Sequence, residues 1–80
     1  MGSSPMTRMT LDEFRSSPKL LFLIGDAIID GSGMLDHHPG GNQCLLRKNK
    51  TDITKDYWFH SWNTRKWMKN RQIARLYIPN

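Results

Sequence analysis

A small α+β fold, one short mixed sheet with a run of short helices between its strands, is predicted by three observations. The stretch "KLLFLIGDAIID" holds two apolar runs, Leu20–Ile24 and Ala27–Ile29, on either side of Gly25-Asp26. That is the pattern of two strands joined by a tight hairpin turn. From Met34 onward the strand patterning stops and helix-start signals take over. Near the end, "QIARLYI" sets Ile73 and Ala74 beside Leu76 and Ile78 and is closed by Pro79, which reads as a final strand. Strands grouped at the two ends around central helices make an α+β arrangement rather than an alternating one.

The elements follow in order. Residues 1–8, "MGSSPMTR", read as a flexible leader with little to bury, leaving 9–80 as the domain. In "TLDEF", Thr10 is followed three residues later by Glu13, the signature of a capping box at the start of a short helix. That helix breaks by Ser16–Pro18. "GSG" at 31–33 is a loop, and Leu45-Leu46 fall on a short helix that begins after the glycines at 40 and 41. "DITKDYWF" predicts another, with Thr54 near its start. Ser61 caps a longer helix reaching about Lys69, which turns Trp67 and Met68 inward.

Eighty residues make one domain, and a chain this short buries only roughly 60% of its unfolded surface. Cys44 is the single cysteine, so no disulfide within the chain can staple the fold. A metal or a cofactor is the other common staple at this size. The longest apolar run, Leu20–Ile24, falls far short of the ~20 residues that cross a bilayer core, and nothing resembles a signal peptide. The expectation is a soluble, cytoplasmic monomer, unless the natural chain carries an anchor beyond Asn80. Charge is lopsided. Residues 1–40 hold three cations against five carboxylates, whereas residues 41–80 hold nine Lys and Arg against Asp52 and Asp56. The second half projects a positive field that favours an anionic ligand or an acidic partner.

The chemistry-bearing residues are three histidines, His37, His38 and His60. Two neutral imidazoles facing each other across a cavity can supply both axial ligands of a haem iron. His38 is the better placed of the adjacent pair. Pro39 restricts its backbone, and Gly40-Gly41 allow a sharp reversal with no side chain in the way of a planar macrocycle. His37 then points to solvent. His60 follows 22 residues later at the start of a helix, with the Ser61 hydroxyl beside it. Met34, Cys44, Leu45, Tyr57, Trp58, Phe59, Trp67 and Met68 offer the walls of an apolar slot.

Together these residues resemble one family. His38-Pro39-Gly40-Gly41 matches the HPGG haem-binding motif of the cytochrome b5 family, and the resemblance runs over about residues 9–78. "TLDEF" is similar to its opening helix, and "LFLIGDAIIDGSGMLDHHPGG" to its strand, turn, strand, loop and first ligand. "HSWNTRKWMKNRQIARL" resembles the second-ligand helix and last strand, with His60-Ser61, Arg65 and Ile73-Ala74-Arg75-Leu76 in step. The chain departs from the family in four ways, one being that "GSG" replaces the usual loop before Met34. The segment between the histidines is two residues shorter than usual, Phe59 stands where glycine is usual before the second histidine, and the surface is basic where familiar members are acidic.

The resemblance implies that His38 and His60 ligate haem b iron from opposite faces. It implies pocket roles for Met34, Pro39, Gly40, Gly41, Cys44, Leu45, Trp58, Trp67 and Met68, and a bond from Ser61 to a haem propionate. With both axial sites filled, the iron carries electrons rather than making bonds. The implied function is a single-electron carrier, not an enzyme by itself. Its partners would be a separate flavin-type reductase and a redox acceptor, and the basic second half suits a partner whose docking surface is acidic. No nucleotide-binding glycine fingerprint and no legible nucleophile–base pair argue for catalysis by this chain alone. Two alternatives use the same residues. One is a zinc module built on His37, His38, His60 and Cys44, against which the absence of a CxxC or HxxxH pair weighs. The other is a nucleic-acid module using "YWFHSWNTRKWMKNR", whose aromatics the small core also needs; no nucleic-acid partner is expected.

Overall fold

A computed structural model describes residues 7–34 and 42–79. Five strands form one mixed sheet in the order β1-β5-β3-β2-β4: β1 (Arg8–Thr10), β2 (Leu21–Ile24), β3 (Ala27–Asp30), β4 (Thr51–Asp52) and β5 (Gln72–Tyr77). Four α-helices complete it: α1 (Leu11–Ser16), α2 (Asn42–Arg47), α3 (Thr54–Phe59) and α4 (Trp62–Lys69), with a 3₁₀ turn over Ser32–Met34. The α+β class follows from this arrangement.

The hairpin forms where its sequence requires it. Gly25 takes a φ of 61°, a region open to glycine at little cost, and the flanking strands pair antiparallel with Phe22 opposite Ile29 and Ile24 opposite Ala27. Side chains alternate across the sheet. Phe22, Ile24, Ala27 and Ile29 enter one core with Leu20, Met34, Leu45, Ile53 and Met68. Leu21 and Ile28 point to the other face, where they meet Phe14 of α1 and Ala74 of β5. The sheet therefore divides the molecule, with α1 on one side and α2, α3 and α4 on the other.

Three features were not anticipated. β1 begins at Arg8, inside the stretch expected to be a leader, because the β5 backbone offers it a partner: Arg8 pairs with Arg75 in parallel register, and the Arg75 N–H donates to the Thr7 carbonyl at 2.8 Å. Residues 1–6 lie outside the described residues. β4 is two exposed residues held on β2, reached through Lys50 at a φ of 65°, whose N–H donates to the Leu21 carbonyl at 2.7 Å. The loop expected at 31–33 instead winds into the 3₁₀ turn. A β-bulge explains the closing strand: Ile28 faces Ala74 and Ile29 faces Gln72, so the adjacent Ile73 and Ala74 both reach the α1 side.

The helix starts are anchored by side chains. At α1 the Thr10 N–H donates to Glu13 Oε1 at 2.9 Å and the Glu13 N–H to Thr10 Oγ1 at 3.2 Å, closing the capping box. At α4 Ser61 Oγ accepts from the Thr64 N–H at 3.3 Å. Thr54, the first residue of α3, binds the hairpin: Gly25 N–H donates to its Oγ1 at 2.8 Å.

Candidate functional site

The three helices on one side of the sheet do not close over it. They leave a cavity of about 750 Å³, a size within the ~300–1,000 Å³ of typical cofactor and small-molecule sites. Its floor is the sheet core, through Phe22, Met34 and Ile53. Cys44 and Leu45 of α2 form one wall; Phe59, His60 and, from α4, Asn63, Thr64, Trp67 and Met68 form the other. Lys48, in the turn after α2, and Asp56 of α3, which form an ion pair, complete the lining.

His60 sits at the junction of two helices. It caps the C-terminus of α3, its N–H donating to the Tyr57 carbonyl at 3.2 Å, and its backbone turns extended at φ −84°, ψ 161°. Ser61 then starts α4 at once. This double cap holds the imidazole on the cavity wall from both sides in sequence. Its ring makes no hydrogen bond or ion pair among the described residues.

Of the residues expected at the site, His60, Met34, Cys44, Leu45, Trp67 and Met68 are brought together around this one cavity. Met34, Leu45 and Met68 are buried, and Trp67 packs against the same core, with the Arg71 guanidinium 4.4 Å from its ring centre. Trp58 is a correction: it lies outside the cavity and is 63% exposed. The short α3 turns Trp58 away, edge-on to Tyr57 at 5.2 Å and under Arg65. Ser61 also stands off the wall; its oxygen caps α4 and its hydroxyl faces Thr64 Oγ1 at 3.1 Å. His37, His38, Pro39, Gly40 and Gly41 lie outside the described residues. Both flanks of that segment, Met34 and Cys44, are cavity wall.

Several lining residues escaped the sequence reading. Asn63 and Thr64 were legible in principle, since they share a helical side with Trp67 and Met68, and Phe22 follows from strand alternation once Ile29 is its partner. Lys48 and Asp56 carried no signal, because their meeting depends on how α2 and α3 face each other. Nearby, Asp30 is pulled two ways. Burial works to raise its carboxyl, but the Ser32 N–H at 2.9 Å and hydroxyl at 2.7 Å, with the charges of Lys19 and Arg71, hold it below the ordinary carboxylate range. No group of three metal-capable side chains converges among the described residues, and no described helix is long and apolar enough to cross a membrane.

A deep, mostly apolar slot with one imidazole on its wall invites comparison with known proteins. The family model described as "Cytochrome b5-like Heme/Steroid binding domain" matches residues 7–77. A Neurospora crassa protein described as a cytochrome b5 is 32% identical over 56 residues, which is 70% of this chain and 68% of that protein. A Mycosarcoma maydis nitrate reductase (NADPH) is 32% identical over 60 residues, 74% of this chain but 6% of the reductase. Among solved structures, the cytochrome b5 of Ostreococcus tauri virus 2 superposes with a TM-score of 0.66 at 20% identity, over 84% of this chain and 81% of that one. This likeness reports the fold. With the family model spanning nearly the whole of the described fold, the chain belongs to the cytochrome b5 family.

Proposed function

We propose that this chain is a haem b electron-transfer domain in which His38 and His60 occupy the two axial positions of the iron. One observation carries the reading: His60 and both flanks of the segment bearing His38, Met34 and Cys44, belong to the wall of a single apolar cavity. The residues present fit the group. A flat, largely apolar macrocycle needs a slot of this size with aliphatic, thioether and indole walls, and neutral imidazole is a good iron ligand.

When bound, haem iron would supply one-electron exchange between Fe(III) and Fe(II). The chain's own residues do the rest. The double cap at His60 fixes its backbone at the cavity wall, so the imidazole is presented there without ordering a loop on ligation. Phe22, Met34, Leu45, Ile53 and Met68 keep water from the buried side. If His38 and His60 both held the iron, no site would be left for substrate, and the domain would act as a carrier working with separate redox enzymes. A separate reductase would supply the electron and an acceptor would take it, and the excess of Lys and Arg in residues 41–80 suits partners with acidic docking surfaces.

The test is a visible absorption spectrum of the haem-supplemented chain, oxidised and then reduced with dithionite. The expected result is a low-spin six-coordinate spectrum that resists carbon monoxide. His38→Ala and His60→Ala should each turn it high-spin or open it to carbon monoxide. A chain that stays colourless, or binds carbon monoxide readily without substitution, overturns the proposal.

A further inference from the structure

The outer side of α4 has no part in the cavity. On a helix of 3.6 residues per turn, Asn63, Thr64, Trp67 and Met68 share the side that lines it, and Trp62, Arg65, Lys66 and Lys69 share the opposite side. That outer stripe is one indole and three cations, and α4 contains no carboxylate. The Arg65 guanidinium lies 5.0 Å from the ring centre of Trp58 and 5.8 Å from that of Trp62, joining indoles from two helices into one patch. Phe59, at the end of α3, extends it. Trp58, Phe59 and Trp62 are 63%, 89% and 69% exposed. Single exposed apolar residues are ordinary on any surface, but three large rings grouped at one corner of so small a domain mark an interaction site.

We propose that the α3–α4 corner docks on the headgroup layer of an anionic lipid bilayer. The charge is complementary: the exposed Lys66 and Lys69 would face anionic headgroups, which attract each nearby cation, while the half-buried Arg65 holds the two indoles together. Indole is the ring that favours headgroup depth, where its apolar body and N–H are both served. Shape separates this partner from a folded acidic protein. The rings stand out from a helix junction, and protruding anchors need matching pockets in a rigid partner, whereas a headgroup layer admits them wherever they land. A single-stranded nucleic acid is disfavoured because Arg65 already covers one face of both Trp58 and Trp62, and base stacking needs those faces. Attachment would be peripheral and beside the cavity, since Phe59 belongs to both surfaces. The inference does not depend on which cofactor the cavity takes.

The experiment is co-sedimentation of the full chain with phosphatidylcholine vesicles, with and without about one third phosphatidylserine, at about 0.1 M salt. Affinity for the anionic vesicles should exceed that for neutral ones by about ten-fold or more, with a blue shift of tryptophan emission. Trp62→Ser, and separately Lys66→Glu with Lys69→Glu, should each weaken binding by roughly five-fold or more at unchanged far-UV circular dichroism. Should Trp62→Ser unfold the chain, the charge-reversed variant decides. Failure to bind anionic vesicles, equal binding to both compositions, or binding that neither variant weakens overturns the proposal. So does tighter binding to polyglutamate or to single-stranded oligothymidylate than to the vesicles.

Discussion

Gly31 shows how a single hydrogen atom can matter to this core. A Cβ built there would come within 2.3 Å of Phe22 Cε2, and the Phe22 ring is fully buried beneath the cavity, with no free end to swing aside. The backbone at Gly31 is fixed as well, its N–H donating to the Leu20 carbonyl at 2.8 Å. Gly31→Ala should therefore destabilise the chain by about 1–3 kcal/mol, the usual cost of overpacking, read as a lower urea midpoint at unchanged slope. Because Phe22 is cavity floor, the same substitution should weaken haem retention. An unchanged midpoint would show that the ring has room the structure does not give it. At this scale the sequence was a partial guide. His60, Met34, Leu45 and Met68 were placed by pattern, but Trp58 was not. An aromatic two residues before His60 reads as pocket lining until the length of α3 determines which way it turns.

Among the elements, α1 and α3 each start on a carboxylate with a lowered pKa. The Thr10 N–H and hydroxyl hold Glu13 below its ordinary range, and the Thr54 hydroxyl and N–H do the same for Asp52. A carboxyl held low in the folded chain contributes stability that is in place above its unfolded value of about 4 and is lost as pH falls through the folded value. Asp30 acts in the same direction. The urea midpoint should accordingly vary little from neutral pH to about 5 and drop below about 4, and Asp52→Asn should flatten part of that drop. A midpoint that rises on acidification would contradict the sign. Thr10→Ala, which removes half the capping box, should cost about 1 kcal/mol at neutral pH, measured by thermal melting. These helix starts were legible because a cap is a local pattern of three or four residues. β1 and β4 were not, since strands of three and two residues carry no alternation and exist only because β5 and β2 offer them an edge.

At the level of the whole molecule, the sheet with α1 forms a closed core while the opposite side stays open. Phe22, Met34, Leu45, Ile53 and Met68 of the cavity-side core border a slot that side chains of the described residues do not fill. A ligand bound there adds contacts that only the folded state can make, and so stabilises by mass action. On the haem proposal, supplementing the chain with haem should raise Tm by several degrees, roughly 4–8 °C for each kcal/mol gained in a domain of this size. Equal melting with and without haem would count against the cofactor being part of the core. The general plan of strand pair, central helices and last strand was readable from pattern, because hairpin and helix signals are short-range. An apolar slot near the histidines was readable from the residues, but which of them form its walls was not, since those walls come from parts of the chain that nothing local relates.

The position of β5 has a consequence for synthesis. Of the five strands of this sheet, the one synthesised last is an inner one, lying between β1 and β3. Until Gln72–Tyr77 emerges, β3 presents an unpaired edge and Arg8–Thr10 has nothing to pair with. The nascent chain thus waits with its hairpin assembled and one sticky margin open to neighbouring polypeptides, and that margin is sealed only when β5 docks.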